Sequence, residues 1–123
     1  MAKSSRELAT DHESVPGYEG HFGQLEGYTV AFESYTADQD LAPLFKGLPD
    51  DKCQCPHWGV VLKGRLVYRT ATGDEEVNAG EAYYVGPGHT PLLTAGTEVV
   101  EFSPTTELQQ TMEVVTKNAA SMS

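Results

Sequence analysis

Short segments that alternate apolar and polar residues, separated by glycine and proline turns, fill residues 57–104 of this chain. HWGVVLKG and RLVYRTA meet near Gly64, and TGDEE supplies a turn. A further turn at Gly80, a Gly-Pro-Gly bend at residues 86–88 and a last strand, TEVVEFSP, follow. This spacing is typical of half-buried strands joined by tight turns. It predicts an all-β fold, either an antiparallel sandwich or a small barrel.

The first part of the chain is less regular. Residues 1–19 are mostly polar and without a hydrophobic period, which predicts a flexible N-terminal arm. GYTVAFESY then alternates as a strand does. Two prolines and a glycine interrupt residues 36–51, so we expect a long loop with at most one short helical turn.

The chain ends with a helical pattern. Ser103 suits an N-cap and Pro104 a first helical turn. Apolar residues then recur at helical spacing, at Leu108, Met112 and Val115. We therefore expect a single domain at residues 20–118 that includes a short C-terminal α-helix at about residues 104–118.

The charge balance excludes several classes of partner. Acidic residues outnumber basic ones 18 to 8 among 123 residues, for a net charge of −10. Nucleic acids and anionic membrane surfaces are bound through basic residues, so we expect neither as a partner. No apolar run approaches the ~20 residues that cross a bilayer, and the N-terminus lacks the apolar segment of a secretion signal. We expect a cytoplasmic protein with reduced thiols.

Three residues able to bind metal occupy alternate positions in the segment DKCQCPHWGVV: Cys53, Cys55 and His57. In an extended segment all three side chains would share one face, although Pro56 can bend the segment out of phase. Two interpretations stay open. The three residues help to hold a metal, or the cysteines are small buried hydrophobes and His57 is a hydrogen-bonded pocket residue.

Two stretches resemble a known family. VLKGRLVY at residues 61–68 and TGDEEVNAGEAYYVGPGHTP at residues 72–91 are similar in their order of strands, glycine turns and Pro-Gly bend to the cupin family. The resemblance extends over about residues 25–104. It implies a cupin jelly-roll β-barrel or sandwich with a cavity inside.

The metal-ligand positions of the cupin motifs hold other residues here. Aligned on the motif glycines, the glutamate position falls on His57, and the two histidine positions before it fall on Cys53 and Asp51. The last histidine position falls on Pro91, which has no ligand atom. His89, two residues earlier, is the histidine that can replace it; under the packing interpretation it is an exposed turn residue.

The metal interpretation combines thiolates and imidazoles. Such ligands suit tetrahedral Zn²⁺, with copper or iron less favoured and a site without metal as the alternative. The expected metal ligands are Cys53, Cys55, His57 and His89. The residues expected to line the ligand pocket are Tyr83, Glu101 and Asp51.

Two functions remain open. The first is a small-molecule-binding cupin-domain protein, with or without the metal. The second is a metal-dependent enzyme, of isomerase or non-haem oxygenase type, that acts on a small polar substrate. Because exposed sheet edges need covering, and because cupins often pair, we also expect a homodimer.

Overall fold

The computed structural model describes residues 1–122. These residues form ten strands, two short 3-10 turns and one helix. The strands are β1 (Asp11–Val15), β2 (Tyr18–Leu25), β3 (Tyr28–Tyr35), β4 (Gln39–Asp40), β5 (His57–Lys63), β6 (Arg65–Thr70), β7 (Gly73–Asn78), β8 (Ala82–Val85), β9 (His89–Leu93) and β10 (Thr97–Pro104). The turns are Ala42–Phe45 and Pro49–Asp51, and the helix is α1 (Thr105–Met122).

The strands make two antiparallel sheets. The six-stranded sheet has the order β1-β2-β3-β10-β5-β8, and the four-stranded sheet has the order β4-β9-β6-β7. The sheets do not close into a barrel. The predicted fold class is confirmed in its sandwich form: the described residues form a two-sheet jelly roll with a C-terminal helix.

Gly64 lies where the chain passes from one sheet to the other. It joins β5, which pairs with β10 and β8, to β6, which pairs with β7 and β9. Its φ is +77°, and a Cβ at this position would lie 2.7 Å from the Cα of Thr97. Both the backbone conformation and the close approach require glycine here.

The sandwich core follows from the period of two along each strand. Directly paired residues such as Val61 and Val99 point inward together. The buried cluster between the sheets consists of Tyr35, Val61, Leu66, Tyr68, Val77, Val85, Leu93 and Val99.

Part of the N-terminal segment forms a strand, whereas the sequence predicts a flexible arm there. Residues 11–15 form β1, which pairs with β2 from Asp11 opposite Phe22 to Val15 opposite Tyr18. Of the expected arm, residues 1–10 and the turn at residues 16–17 lie outside the strands. The polar composition hid β1 because its five residues are all exposed, so no apolar alternation marks them.

The C-terminal helix begins at Thr105 and extends to Met122, beyond the expected end at residue 118. Ser103 belongs to β10 and does not precede the helix as its cap. The helix is fastened to the Ala42–Phe45 turn by Asn118, whose amide donates to the carbonyls of Leu44 and Lys46 at 2.7 and 2.8 Å. Within residues 1–122 no helix is long and apolar enough to cross a membrane.

Candidate metal centre and ligand cavity

A cavity of about 270 Å³ lies between the two sheets and the helix. Its apolar lining comes from inward residues of the strands, such as Leu66, Leu93 and Val99, and from the loop after β4 and α1: Leu41, Leu44, Phe45, Leu108, Met112 and Val115. Its polar lining includes Glu33, Cys53, His57, His89, Glu101 and Ser103. The volume is near the lower end of the range for ligand pockets, about 300 Å³.

Backbone hydrogen bonds hold Cys53 beside His89. The amide of Cys53 donates to the carbonyl of His89 at 2.9 Å, and the Cys53 carbonyl accepts from the amides of Gly88 and His89 at 2.8 and 3.2 Å. This bridge joins the segment before β5 to the start of β9. It therefore brings together two residues that are 36 positions apart in the chain.

His57 is the first residue of β5, and its ring is oriented by β10. Its Nδ1 lies 2.7 Å from the Oγ of Ser103 and 3.3 Å from the Oε1 of Glu101. The Ser103 hydroxyl can donate or accept, and the nearby carboxylate of Glu101 favours the tautomer with the ring hydrogen on Nδ1. In that tautomer the lone pair of the neutral ring is on Nε2.

His89 is oriented in the same way by the bend before β9. Its Nδ1 lies 2.6 Å from the carbonyl oxygen of Gly86, which can only accept, so this ring also keeps its lone pair on Nε2. The side chain is 1% exposed, and burial lowers the pKa of His89 to about 4. At neutral pH the ring is uncharged and able to bind a metal.

The Sγ of Cys53 and the two imidazoles converge. The Sγ lies 3.6 Å from Nε2 of His57, and one ligand atom of each of Cys53, His57 and His89 lies within 4.8 Å of the others. Zn–S and Zn–N bonds of about 2.3 and 2.0 Å at a tetrahedral ion place S and N about 3.5 Å apart. The donor types, and the distance between Cys53 and His57, are compatible with a tetrahedral ion.

The thiol of Cys53 is protonated in the absence of a metal. Burial raises its pKa to about 11. A metal ion at this position would displace the proton, since thiolate is the form that binds metal.

Glu101 supports His57 from behind. Its Oε2 accepts hydrogen bonds from the phenols of Tyr68, at 2.7 Å, and Tyr83. Burial raises the pKa of both phenols above the ordinary value, so they remain donors. The carboxylate is thus fixed by two donors while its other oxygen faces His57, an arrangement common behind metal-binding histidines.

A second interior carboxylate, Glu33, lies on the neighbouring strand β3. Its Oε2 accepts from the phenol of Tyr18 at 2.6 Å. Burial, and then the negative charge of Glu101, raise the pKa of Glu33 to about 7. A carboxyl with such a pKa can give or take a proton near neutral pH.

The structure brings together only some of the residues expected from the sequence. Cys55 is fully buried, but its Sγ is turned to the carbonyl of Pro56 at 3.4 Å, and it is not part of the Cys53–His57–His89 group. Tyr83 does not line the cavity; it contacts two residues that do, Glu101 by a hydrogen bond and Tyr68 by ring packing. Asp51 is exposed in the loop, where its carboxylate accepts from the amide of Gly47 at 2.9 Å, and it does not line the cavity.

Strand alternation, which the sequence suggests, does not bring the candidate metal-binding side chains together. Cys53 and Cys55 precede β5, so the alternation of an extended strand does not position them. His89 starts β9 and shares the inward face with Pro91 and Leu93, which also line the cavity. His89 lies two residues before Pro91, the motif position. Because strand side chains alternate with a period of two, His89 and Pro91 point to the same face.

Sequence reasoning missed three polar residues of this site: Ser103, Glu33 and Tyr68. The helical pattern after Pro104 predicts a helix cap at Ser103, whereas the structure places Ser103 in β10. Glu33 and Tyr68 could have been found from the strand period, because Glu33 is in phase with Ala31 and Tyr35, and Tyr68 with Leu66, all of which line the cavity.

Comparison with known proteins supports the fold alone. No protein-family model and no curated protein sequence matches the chain. A structural-genomics protein of unknown function from Rhizobium leguminosarum is 19% identical and superposes with a TM-score of 0.59, over 84% of this chain and 94% of its own.

Two further solved structures are of named proteins. Ectoine synthase from P. lautus is 11% identical, with a TM-score of 0.58 over 85% of this chain and 78% of its own. The Streptomyces protein PAC13, solved as a variant with uridine, is 16% identical, with a TM-score of 0.57 over 85% of this chain and 82% of its own. At these identities the likeness is one of architecture, and this chain has the cupin fold that these neighbours share.

Proposed function

We propose that this protein binds a small molecule in the cavity between its sheets, next to a Zn²⁺-type metal ion held by Cys53, His57 and His89. The observation that carries the proposal is the convergence of these three side chains within 4.8 Å. Both histidines have Nδ1 engaged by a neighbouring oxygen, and Nε2 of His57 faces the Sγ of Cys53. Imidazole nitrogens and a cysteine sulfur are atoms that bind a metal.

The donor set favours Zn²⁺ among the common metals. One thiolate and two imidazoles are borderline-soft donors, which suit Zn²⁺ and also copper. Iron(II) in oxygenases generally takes two histidines and a carboxylate, so iron is less favoured here. Three protein ligands leave the fourth position of a tetrahedral ion for water or for an atom of the bound molecule.

The cavity also restricts the ligand. Among the described residues that line it there are three carboxylates, Glu13, Glu33 and Glu101, and neither Lys nor Arg. An anionic ligand would meet the interior carboxylate of Glu101 in weakly screened surroundings, with no Lys or Arg to compensate. We therefore expect a neutral or cationic molecule whose apolar part packs against α1 and the loop after β4.

The direct test is metal analysis of tag-free protein with single-residue variants. We expect the wild type to contain one equivalent of Zn²⁺ more than Cys53→Ser and His89→Gln. Cys55→Ser is the matched control, because it removes a buried thiol only two residues away while leaving the three donors intact. Equal metal contents in all four proteins would refute the metal centre.

The alternative function is a metal-dependent enzyme of isomerase type. Glu33 favours it, because its pKa of about 7 suits proton transfer and its side chain lines the cavity. A co-purifying ligand can be identified by native mass spectrometry and then incubated with the protein in D₂O. Deuterium incorporation into the ligand by the wild type but not by Glu33→Gln would establish the enzyme. Binding without exchange would leave a binding protein.

The proposal also covers association and compartment. We propose a homodimer, because a row of large apolar side chains is exposed on the outer face of the six-stranded sheet. We propose a reducing compartment such as the cytoplasm, because Cys53 and Cys55 are free thiols.

A further inference from the structure

A second group of metal-ligating side chains lies outside the cavity, on the hairpin of β1 and β2. His12 and His21 face each other directly across the two strands. The next inward residue of β1, Glu13, lines the cavity, and so does Val15. Because side chains alternate along a strand, His12 and its partner His21 lie on the outer face.

The two imidazoles and one carboxylate of this hairpin are close together. The rings of His12 and His21 are stacked, with centroids 4.3 Å apart and planes inclined by 10°. Glu19, two residues before His21, places its Oε1 2.9 Å from Nε2 of His21 and 4.0 Å from Nε2 of His12. A ligand atom of each of the three residues lies within 4.8 Å of the others.

The hydrogen bond between His21 and Glu19 accounts for only part of this arrangement. It does not require a second imidazole stacked on the first and turned toward the same carboxylate oxygen. Two imidazoles and a carboxylate are instead a familiar ligand set for a first-row divalent ion. The strand pairing holds both rings on one face, so binding of an ion would require little backbone rearrangement.

We propose that His12, His21 and Glu19 form a surface site for a divalent first-row transition metal ion. The ion would bind Nε2 of each histidine and one carboxylate oxygen, and His21 would move its ring hydrogen to Nδ1. Water would complete the coordination, because His12 and Glu19 are about half exposed. Bound metal would cross-link the edge strand β1 to β2, its sole strand neighbour in the described sheet.

The site is tested by equilibrium dialysis of tag-free, full-length protein against Zn²⁺, with the bound metal quantified. We expect the His12→Gln/His21→Gln double variant to bind one equivalent less than the wild type. Glu19→Gln should bind this equivalent more weakly, while Glu26→Gln, at the turn between β2 and β3, is the matched control and should bind like the wild type.

The test separates this site from the cavity. Cys53→Ser should keep the surface equivalent whether or not the cavity holds a metal. In NMR spectra, Zn²⁺ added to Cys53→Ser should shift the resonances of β1 and β2. The inference is overturned if the double histidine variant binds as much Zn²⁺ as the wild type, or if the shifted resonances lie elsewhere.

Discussion

The ring of His57 is oriented by one hydroxyl and one carboxylate of β10. Glu101 stands two residues from Ser103 on β10, so both side chains point inward and both reach Nδ1 of the ring. Two phenols keep that carboxylate in place. Residues of β10 therefore determine that Nε2 of His57 faces Cys53.

The substitution Glu101→Gln tests this dependence. A glutamine can still accept from the tyrosines, but its NH₂ group would face Nδ1 of His57 and favour the tautomer with hydrogen on Nε2. Loss of such a supporting group lowers metal affinity by about 10- to 100-fold. Competition with a chromophoric chelator measures the change. Glu98→Gln, on the outer face of the same strand, should leave the affinity unchanged; equal effects of both variants would contradict the role of Glu101.

Glu33 predicts an unusual pH dependence of stability. Its pKa is about 7 in the folded protein and near 4.5 when unfolded. Between these values the folded state binds more protons, so its contribution to the free energy of unfolding falls as pH rises. Relative to Glu33→Gln, the wild type should lose about 2 to 3 kcal/mol between pH 5 and pH 8. Urea unfolding at several pH values measures this.

The comparison with Glu33→Gln isolates one group among several. His89, whose pKa is lowered to about 4, contributes in the opposite direction as pH rises, but it does so in both proteins. Parallel stability curves for the wild type and Glu33→Gln would show that Glu33 has an ordinary pKa.

At the scale of elements, the helix and the loop after β4 close one side of the cavity together. Asn118 connects them through two carbonyls, those of Leu44 and Lys46. Leu108 and Val115 of the helix pack on the buried cluster of Phe45, Cys53 and Cys55. Access to the cavity therefore depends on how firmly this helix is attached.

The substitution Asn118→Ala should loosen that attachment. Two hydrogen bonds are lost and two carbonyls are left to water, which we expect to cost about 1 to 2 kcal/mol of stability. Hydrogen exchange should increase at residues 42–46 and along the second half of α1. Gln110→Ala, on the exposed face of the same helix, is the control. Unchanged exchange at residues 42–46 would show that Asn118 does not hold the loop.

The sequence predicts most of the elements but not how they meet. The alternation in GYTVAFESY and TEVVEFSP locates β3 and β10, and the spacing of Leu108 and Val115 locates α1. The bridge between Cys53 and His89 joins backbone groups, which leave no trace in side-chain patterns. The rotation of Cys55 away from the site has the same origin, because it lies in irregular backbone before β5.

At the scale of the whole molecule, the outer face of the six-stranded sheet is unusually apolar. Trp58 is 42% exposed and Tyr84 is 58% exposed, with ring centroids 4.9 Å apart. Other exposed large apolar residues on these strands are Tyr28, Val60, Leu62 and Phe102. A contiguous patch of this kind is typical of a protein interface.

Light scattering coupled to size exclusion should therefore find a dimer. The Trp58→Lys/Tyr84→Lys variant should be monomeric, because pairing would bury four added charges. Ala71→Lys, at the exposed turn between β6 and β7, should remain dimeric. A monomeric wild type would contradict the proposed homodimer.

His57 and His89 lie on different sheets, and this affects how the two sheets respond to a bound ligand. His57 belongs to the six-stranded sheet and His89 to the four-stranded sheet, so the gap between their rings measures the separation of the sheets. A ligand that pushes the sheets apart must lower the affinity for a metal. A metal that draws the sheets together must lower the affinity for that ligand by the same factor. The two occupants would be thermodynamically coupled through the opening of the fold, even without touching.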